Sequence, residues 1–208
     1  MENLLGIVVP VWNQEKLIIR ALESIPKRND IKIIIIDNCS MDKTFENITE
    51  WKIKNNNNFY EIIALRNAEN IGVGASMNIA YKLVDSKYLY VLDSDDYILS
   101  EEFNNLLNNL NDYTNYDIIR IKNELNDGTI DTKPHTAGWS YLLKNRFSIE
   151  YPKLRKQGDW EYWKLLINDG ATYIESNIVC YHYNYPREGS IVWNYEHGLT
   201  DWKGDPIE

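Results

Sequence analysis

Cysteine is scarce in this chain. Only Cys39 and Cys180 occur in 208 residues, far apart and outside any ligand-spaced cluster, which disfavours a disulfide framework or a cysteine-based zinc site. Two reduced, buried thiols are the expectation. The three histidines, His135, His182 and His197, show no ligand spacing, and His182 reads as a structural side chain rather than a metal ligand. No apolar run approaches the roughly 18 residues of a membrane-spanning helix. Met1 to Pro10 also lacks a basic leader, so a soluble, cytoplasmic protein without a transmembrane segment is expected. An excess of positive charge is missing too. A net charge of −9 disfavours broad attachment to nucleic acid or anionic lipid and leaves nucleic acid only a local groove. Lys144, Arg146, Lys153, Arg155 and Lys156 cluster in sequence and read either as such a patch or as solvated surface. Glycine and proline are sparse, and nothing argues for disorder. The Asn55 to Asn58 run reads as a surface loop.

What is present suits a packed domain. Hydrophobic residues make up 44% and charged residues 25% of the chain, and 208 residues suffice for one sizeable core. Leu4 to Pro10 and Ile31 to Asp37 are Ile- and Val-rich runs of the kind covered on both faces of a parallel sheet. Between them Leu17, Ile18, Ala21, Leu22 and Ile25 recur at helical spacing, and Pro26 closes the segment. Asp42 is placed to cap a helix carrying Phe45, Ile48 and Trp51. A strand over Tyr60 to Leu65, a helix from Gly72 to Leu83 and a strand from Tyr88 complete a β-α-β-α-β-α-β alternation. That order predicts an open α/β sheet with its ligand beyond the carboxyl ends of the strands. Later, the spacing predicts a helix over Phe103 to Leu110, a strand over Tyr116 to Ile121, a turn at Asp127-Gly128 and a helix over Trp160 to Ile167. Strands at Ala171 to Glu175 and Ile178 to Tyr183 follow. Trp139, Trp160, Trp163, Trp193 and Trp202 could be sugar-stacking surfaces or core.

The most informative stretch is Tyr88-Leu89-Tyr90-Val91-Leu92-Asp93-Ser94-Asp95-Asp96, where an apolar strand ends in three carboxylates. Crowded carboxylates repel one another and lose hydration on burial, so they persist when solvated or when a cation neutralises them. Oxygen-only ligands point to Mg²⁺ or Mn²⁺, ions that bridge protein carboxylates to substrate phosphates. The other reading is a solvated acidic turn. Asp37 falls at a comparable strand end.

Taken in order, these residues resemble the family 2 glycosyltransferases with the GT-A fold, over nearly the whole chain. Val9-Pro10-Val11-Trp12-Asn13 resembles the family's first strand and nucleotide-binding loop. Ile35-Ile36-Asp37-Asn38-Cys39-Ser40-Met41-Asp42-Lys43-Thr44 resembles its Asp-Asp-Gly-Ser-x-Asp-x-Thr segment. Asn70-Ile71-Gly72-Val73-Gly74-Ala75-Ser76-Met77-Asn78, Leu92-Asp93-Ser94-Asp95-Asp96 and Gln157-Gly158-Asp159-Trp160 match later motifs. Any one element is weak, and the ordered set is strong.

The resemblance implies a Rossmann-like, open, mainly parallel sheet flanked by helices, with a small C-terminal extension on the acceptor side. It implies one domain, in which residues 1–98 bind the nucleotide sugar and residues 99–208 supply the acceptor side and catalytic base. A metal-dependent inverting transfer from a nucleoside diphosphate sugar, most commonly a UDP-sugar, to a saccharide or other hydroxyl acceptor is implied. Asp93 and Asp95 would hold the divalent cation. Asp37 would take the base or ribose, Pro10, Trp12 and Asn13 would wall the base, and Arg66, Asn78 and Ser94 would reach donor groups. Asp159 would be the general base, a role compatible with capping the helix that follows. Three positions depart from the family's habit: Asn38 replaces a second Asp, Met77 replaces a basic residue, and Gly158 replaces Glu. Arg187 stands where some relatives carry His, and could bind phosphate oxygens directly. The alternatives are a phage-type enzyme glycosylating a hydroxylated nucleic-acid base and a catalytically silent nucleotide-sugar-binding module.

Overall fold

The computed structural model describes residues 3–131, 135, 137–153, 158–185, 187, 188 and 197. Among these, nine strands form one sheet in the order β3-β2-β1-β4-β8-β6-β9-β5, with β7 beside β6. β1 (Leu5–Val11), β2 (Ile31–Asp37), β3 (Glu61–Arg66) and β4 (Tyr88–Val91) are mutually parallel. Their Val-, Ile- and Leu-rich composition follows from burial on both faces: all seven residues of β2 are buried. The sheet then turns mixed. β8 (Tyr141–Lys144) runs antiparallel to both β4 and β6 (Ile118–Leu125). β9 (Tyr173–Tyr183) lies parallel to β6 and antiparallel to the short β5 (Tyr97–Ile98), and β7 (Ile130–Asp131) hairpins onto β6.

The expectation of a mainly parallel sheet therefore holds for its first half. The two strands expected at Ala171 to Glu175 and Ile178 to Tyr183 are one strand interrupted by register shifts against Arg120 and Lys122, with Asn177 at φ 59°. This bulge absorbs the interruption without ending the strand.

Helices α1 (Ile18–Glu23), α2 (Thr44–Asn55), α3 (Val73–Tyr81), α4 (Ser100–Asn108) and α5 (Gly158–Asn168) cover the faces. One apolar layer joins α1, α2 and α4 to the sheet through Ile18, Leu22, Ile48, Trp51, Phe103 and Leu106. The other joins α3 and α5 through Met77, Ala80, Tyr162 and Leu166. The Asp42 carboxylate accepts the amide of Thr44 at 3.0 Å, so it satisfies a donor at the start of α2. The asparagine run is not a loop. Asn55 is buried at the end of α2, donating to the Trp51 carbonyl at 3.0 Å, and Asn56–Asn58 form a 3₁₀ turn. Cys180 is buried, whereas Cys39 is half-exposed at φ 63° in the turn after β2; the expected second buried thiol is corrected by that turn. No described helix is long and apolar enough to cross a membrane.

The basic cluster is partly consumed locally. Lys144 donates to the Thr114 carbonyl at 2.6 Å, and Arg146 forks onto Asp117 at 2.6 and 2.8 Å. Lys153 is exposed, and Arg155 and Lys156, like Trp193 and Trp202, lie outside the described residues. Asp117 also accepts the Thr172 amide and hydroxyl, at 3.0 and 2.9 Å.

Two expectations follow for stability. A Cβ on Gly74 in α3 would lie 2.4 Å from the Pro152 carbonyl oxygen, a backbone atom that cannot swing away; Gly74→Ala should cost about 1–3 kcal/mol in urea unfolding. Arg146, followed by the Thr172 donors, holds the Asp117 carboxyl well below its ordinary value. The stabilisation that goes with a depressed folded-state pKa is complete above the unfolded value near about 4 and is lost progressively as the pH falls from there toward the folded-state value. The stability gap between wild type and Asp117→Asn should therefore be widest at neutral pH and close below about pH 4; a gap independent of pH would contradict this.

Candidate donor and catalytic site

The strand register places the first group of residues. Val11 pairs with Asp37, and Asp37 with Arg66, so the carboxyl ends of β1, β2 and β3 lie side by side. Asp37 is fully buried. It accepts the Ser40 amide at 3.2 and 3.3 Å, a short hydrogen bond from the Ser40 hydroxyl, and an ion pair from Arg66 Nε at 3.3 Å. Arg66 also donates to the Ser40 carbonyl at 2.5 Å and lies over the Phe45 ring. Asn13, at φ 51°, ties this loop to the one after β1: its amide donates to Ser40 Oγ at 2.9 Å and its side-chain oxygen accepts the Met41 amide at 2.8 Å. Pro10 is half-buried behind them, and Trp12 stands 49% exposed at the rim. Five of the expected donor-side residues are thus brought together.

Asn38 organises the next loop. Its oxygen accepts Asn67 Nδ2 and the Ile71 amide, and its nitrogen donates to Asn70. Asn78 goes elsewhere: its nitrogen donates to the Tyr151 carbonyl at 2.8 Å and its oxygen accepts the Tyr151 amide at 2.7 Å. The side chain thus clamps a backbone segment.

The second group sits beyond β4. The Asp96 amide bonds the Asp93 carbonyl at 3.1 Å, closing a turn in which Ser94 and Asp96 are buried while Asp93 and Asp95 keep solvent contact. Asp96 accepts the Tyr181 hydroxyl at 2.7 Å and the Asn184 amide at 2.9 Å. Burial, and then the charge of Asp95, outweigh these bonds and push its carboxyl up to about 7. The Asp95 carboxylate meets Arg187 Nη2 at 2.5 Å, and its carbonyl accepts Arg20 and Asn184 at 2.7 and 3.0 Å. The Asp93 carboxyl is driven well above its ordinary value, first by the surrounding protein and then by Asp96, Asp95 and Asp159.

Asp159, in the first turn of α5, is therefore close enough to Asp93 for their charges to be felt. It accepts the Tyr151 hydroxyl at 2.5 Å. Burial raises its carboxyl, opposed by the Tyr151 hydroxyl and the Gly138 amide. Trp160 beside it is 48% exposed, with Lys164 over its ring. Trp139 is buried and stacked on Tyr181, and Trp163 packs against Tyr141, so these two are packing residues.

Among the described residues no three His, Cys, Asp or Glu side chains converge as a ready cation cage. Asp93 and Asp95 nevertheless suit an ion shared with a diphosphate, because Mg²⁺ commonly takes one or two protein carboxylates and completes its shell with phosphate and water. The excess negative charge around Asp93 fits a cation in the same way. His182 contributes nothing there: its ring nitrogens meet Glu124 and Asn126 at 3.0 and 2.9 Å, and it stacks on Tyr97.

Sequence reasoning missed Ser40 as the Asp37 partner, Arg20 and Asn184 on Asp95, and Tyr151 on Asp159. Only Tyr151 left a trace, in the unexpected glycine at position 158.

A poly(ribitol-phosphate) β-glucosyltransferase of Bacillus spizizenii is 35% identical over 101 residues, 47% of this chain and 16% of its own length. The chain thus spans less than a fifth of that relative. An Escherichia coli UDP-Glc:α-D-GlcNAc-diphosphoundecaprenol β-1,3-glucosyltransferase is 25% identical over 92% of this chain and 81% of its own. The crystal structure of Staphylococcus aureus TarS 1–349 in complex with UDP-GlcNAc superposes with a TM-score of 0.75 at 21% identity, covering 91% of this chain and 60% of that one. Its likeness confirms the GT-A type of fold, a curled open sheet flanked by helices. The family model for glycosyl transferase family 2 matches residues 6–173, most of the chain, and the protein belongs to that family.

Proposed function

We propose that this chain moves a sugar from a nucleoside diphosphate sugar, a UDP-sugar by its relatives, to a saccharide hydroxyl with inversion, and that Asp159 is the general base. The observation that carries this reading is that Asp159, from α5, lies near enough to Asp93, at the end of β4, for its charge to act on the Asp93 carboxyl together with those of Asp95 and Asp96. One end of this set of carboxylates suits a diphosphate and its cation, and the other suits a proton to be removed. In this reading residues 1–98 grip the donor and residues 99–208 present the acceptor, within a single domain.

Asp37 and Arg66 offer the acceptor and donor groups for the base and ribose, and Pro10, Trp12 and Asn13 form the wall beside them. Asp93 and Asp95 would hold Mg²⁺ or Mn²⁺, directly or through water, and the bound ion would supply positive charge to the diphosphate as it leaves. Arg187 adds a second cation: it can pass from Asp95 to phosphate oxygens, freeing the carboxylate. An acceptor hydroxyl oxygen attacks the anomeric carbon from the face opposite the diphosphate. The carbon–oxygen bond to the diphosphate breaks, its electron pair stays with the leaving group, and the hydroxyl proton passes to Asp159. Burial raises Asp159's basicity toward the range where a carboxylate is an efficient proton acceptor. Exposed Trp160 offers the acceptor sugar a stacking face. The joint presence of Asp93, Asp95 and Asp159 favours catalysis over a silent binding module.

The test is UDP release from UDP-glucose and UDP-N-acetylglucosamine with Mn²⁺ present. Asp159→Asn should lower it by at least about a hundredfold while UDP binding by calorimetry stays unchanged; full activity in the variant would sink the proposed base. Arg187→Ala should weaken UDP binding about tenfold or more, the worth of a charge-assisted bond to phosphate. Undiminished affinity would remove Arg187 from the donor site.

A further inference from the structure

Tyr151 is an unusually constrained residue. Its backbone amide and carbonyl are both taken by the Asn78 side chain, at 2.7 and 2.8 Å, which pins it to α3. The residue is 5% exposed, its ring edge-on to Tyr81 and tilted against Tyr162, with centroids at 6.2 and 5.2 Å. The ring also fills the space above Gly158, where a Cβ would lie 2.7 Å from Tyr151 Cε1 and 3.0 Å from its hydroxyl oxygen. No other residue type fits at 158 without moving the ring. The side chain that belongs to the family's usual Glu is thus replaced by space, and the space is filled by a phenol whose hydroxyl reaches the neighbouring Asp159 at 2.5 Å.

We infer that Tyr151 is the positioning residue of the catalytic base: its hydroxyl donates to Asp159 Oδ1 and, beside the Gly138 amide, fixes the carboxylate rotamer in which Asp159 receives the acceptor proton. Asn78 and Gly158 serve this arrangement, one by holding the backbone of Tyr151 and the other by admitting its ring. The inference rests on Asp159 being the base. Burial holds the phenol's own pKa far above its ordinary value, so the hydroxyl keeps its proton and acts as a donor. A donor to a carboxylate favours the ionised form, which works against the burial that raises Asp159. The other groups acting on Asp159 stay in place when only the hydroxyl is removed: the Gly138 amide, Asp93 after β4, Tyr81 of α3 and Tyr141 of β8.

The experiment compares wild type, Tyr151→Phe, Gly158→Ala and Asp159→Asn. The Asp159 carboxyl is titrated by carbon-13 NMR, its signal assigned by its loss in Asp159→Asn, and UDP release from UDP-glucose and UDP-N-acetylglucosamine is followed against pH. Tyr151→Phe keeps the ring and should raise the Asp159 titration by about one pH unit. The acid limb of kcat/KM should move up with it, and kcat at neutral pH should fall about tenfold with donor KM within about twofold. Gly158→Ala, which displaces the ring while leaving the hydroxyl in the sequence, should move the titration in the same direction. In an Asp159→Asn background Tyr151→Phe should change UDP release no further. An Asp159 titration unmoved by Tyr151→Phe overturns the inference, whatever the activity. Full UDP release in Asp159→Asn overturns the base assignment instead, and the titration still reports whether Tyr151 holds that carboxylate.

Discussion

The repulsion among Asp93, Asp95, Asp96 and Asp159 is the constraint around which this structure is arranged. Carboxylates brought together away from bulk water raise one another's proton affinity, and each must be compensated or protonated. The fold compensates unequally. Asp96 receives the Tyr181 hydroxyl and the Asn184 amide, and Asp95 receives Arg187 on its carboxylate and Arg20 on its carbonyl. The Asp93 carboxyl is pushed well above its ordinary value by burial and then by Asp96, Asp95 and Asp159. A site with surplus negative charge at one point suits an arriving cation, and in the proposed function that cation would come with the diphosphate.

Most of the compensating groups come from β9 and the residues just after it, which gives the mixed half of the sheet its part in the site. β9 supplies Tyr181, and Asn184 follows directly after it; β9 reaches the turn after β4 because it pairs with β5, Tyr97 opposite His182. The parallel strands alone would present the acidic turn to solvent. The later strands bring donors up to it, and His182, stacked on Tyr97, fastens that edge.

The parallel half was legible because its signals are local. Ile31 to Asp37 announces a doubly covered strand from composition, and the acidic turn announces a strand end. The order of motifs then carried the family. The second half was less legible because its decisive contacts join residues with no shared spacing. Tyr181 lies 85 residues from Asp96, and Arg187 lies 92 from Asp95. The split of β9 into two expected strands failed on a bulge at Asn177, where an asparagine at positive φ reads in sequence as a turn. Cys39 defeated a burial rule for the same reason: the conformation of the turn after β2, rather than hydrophobicity, decides where its thiol points.

The departures from the family's habit acquire local causes. Asn38 both donates and accepts, bonding Asn70, Asn67 and the Ile71 amide, and an aspartate there could not donate to the Asn70 oxygen. Met77 is buried in the layer beneath α3, where a basic side chain would need a partner. Gly158 leaves room for Tyr151. The first supplies a donor that an aspartate lacks, the second places packing where the family has charge, and the third makes room for a phenol on Asp159. Together they rewire the local contacts, each departure being matched by a bond or a packed side chain. The rewiring also joins the two halves. α3 comes from the first half of the chain, yet its Asn78 holds the residue that bonds Asp159 in α5. A shift of α3 would therefore be felt at the Asp159 carboxylate through one amide and one phenol.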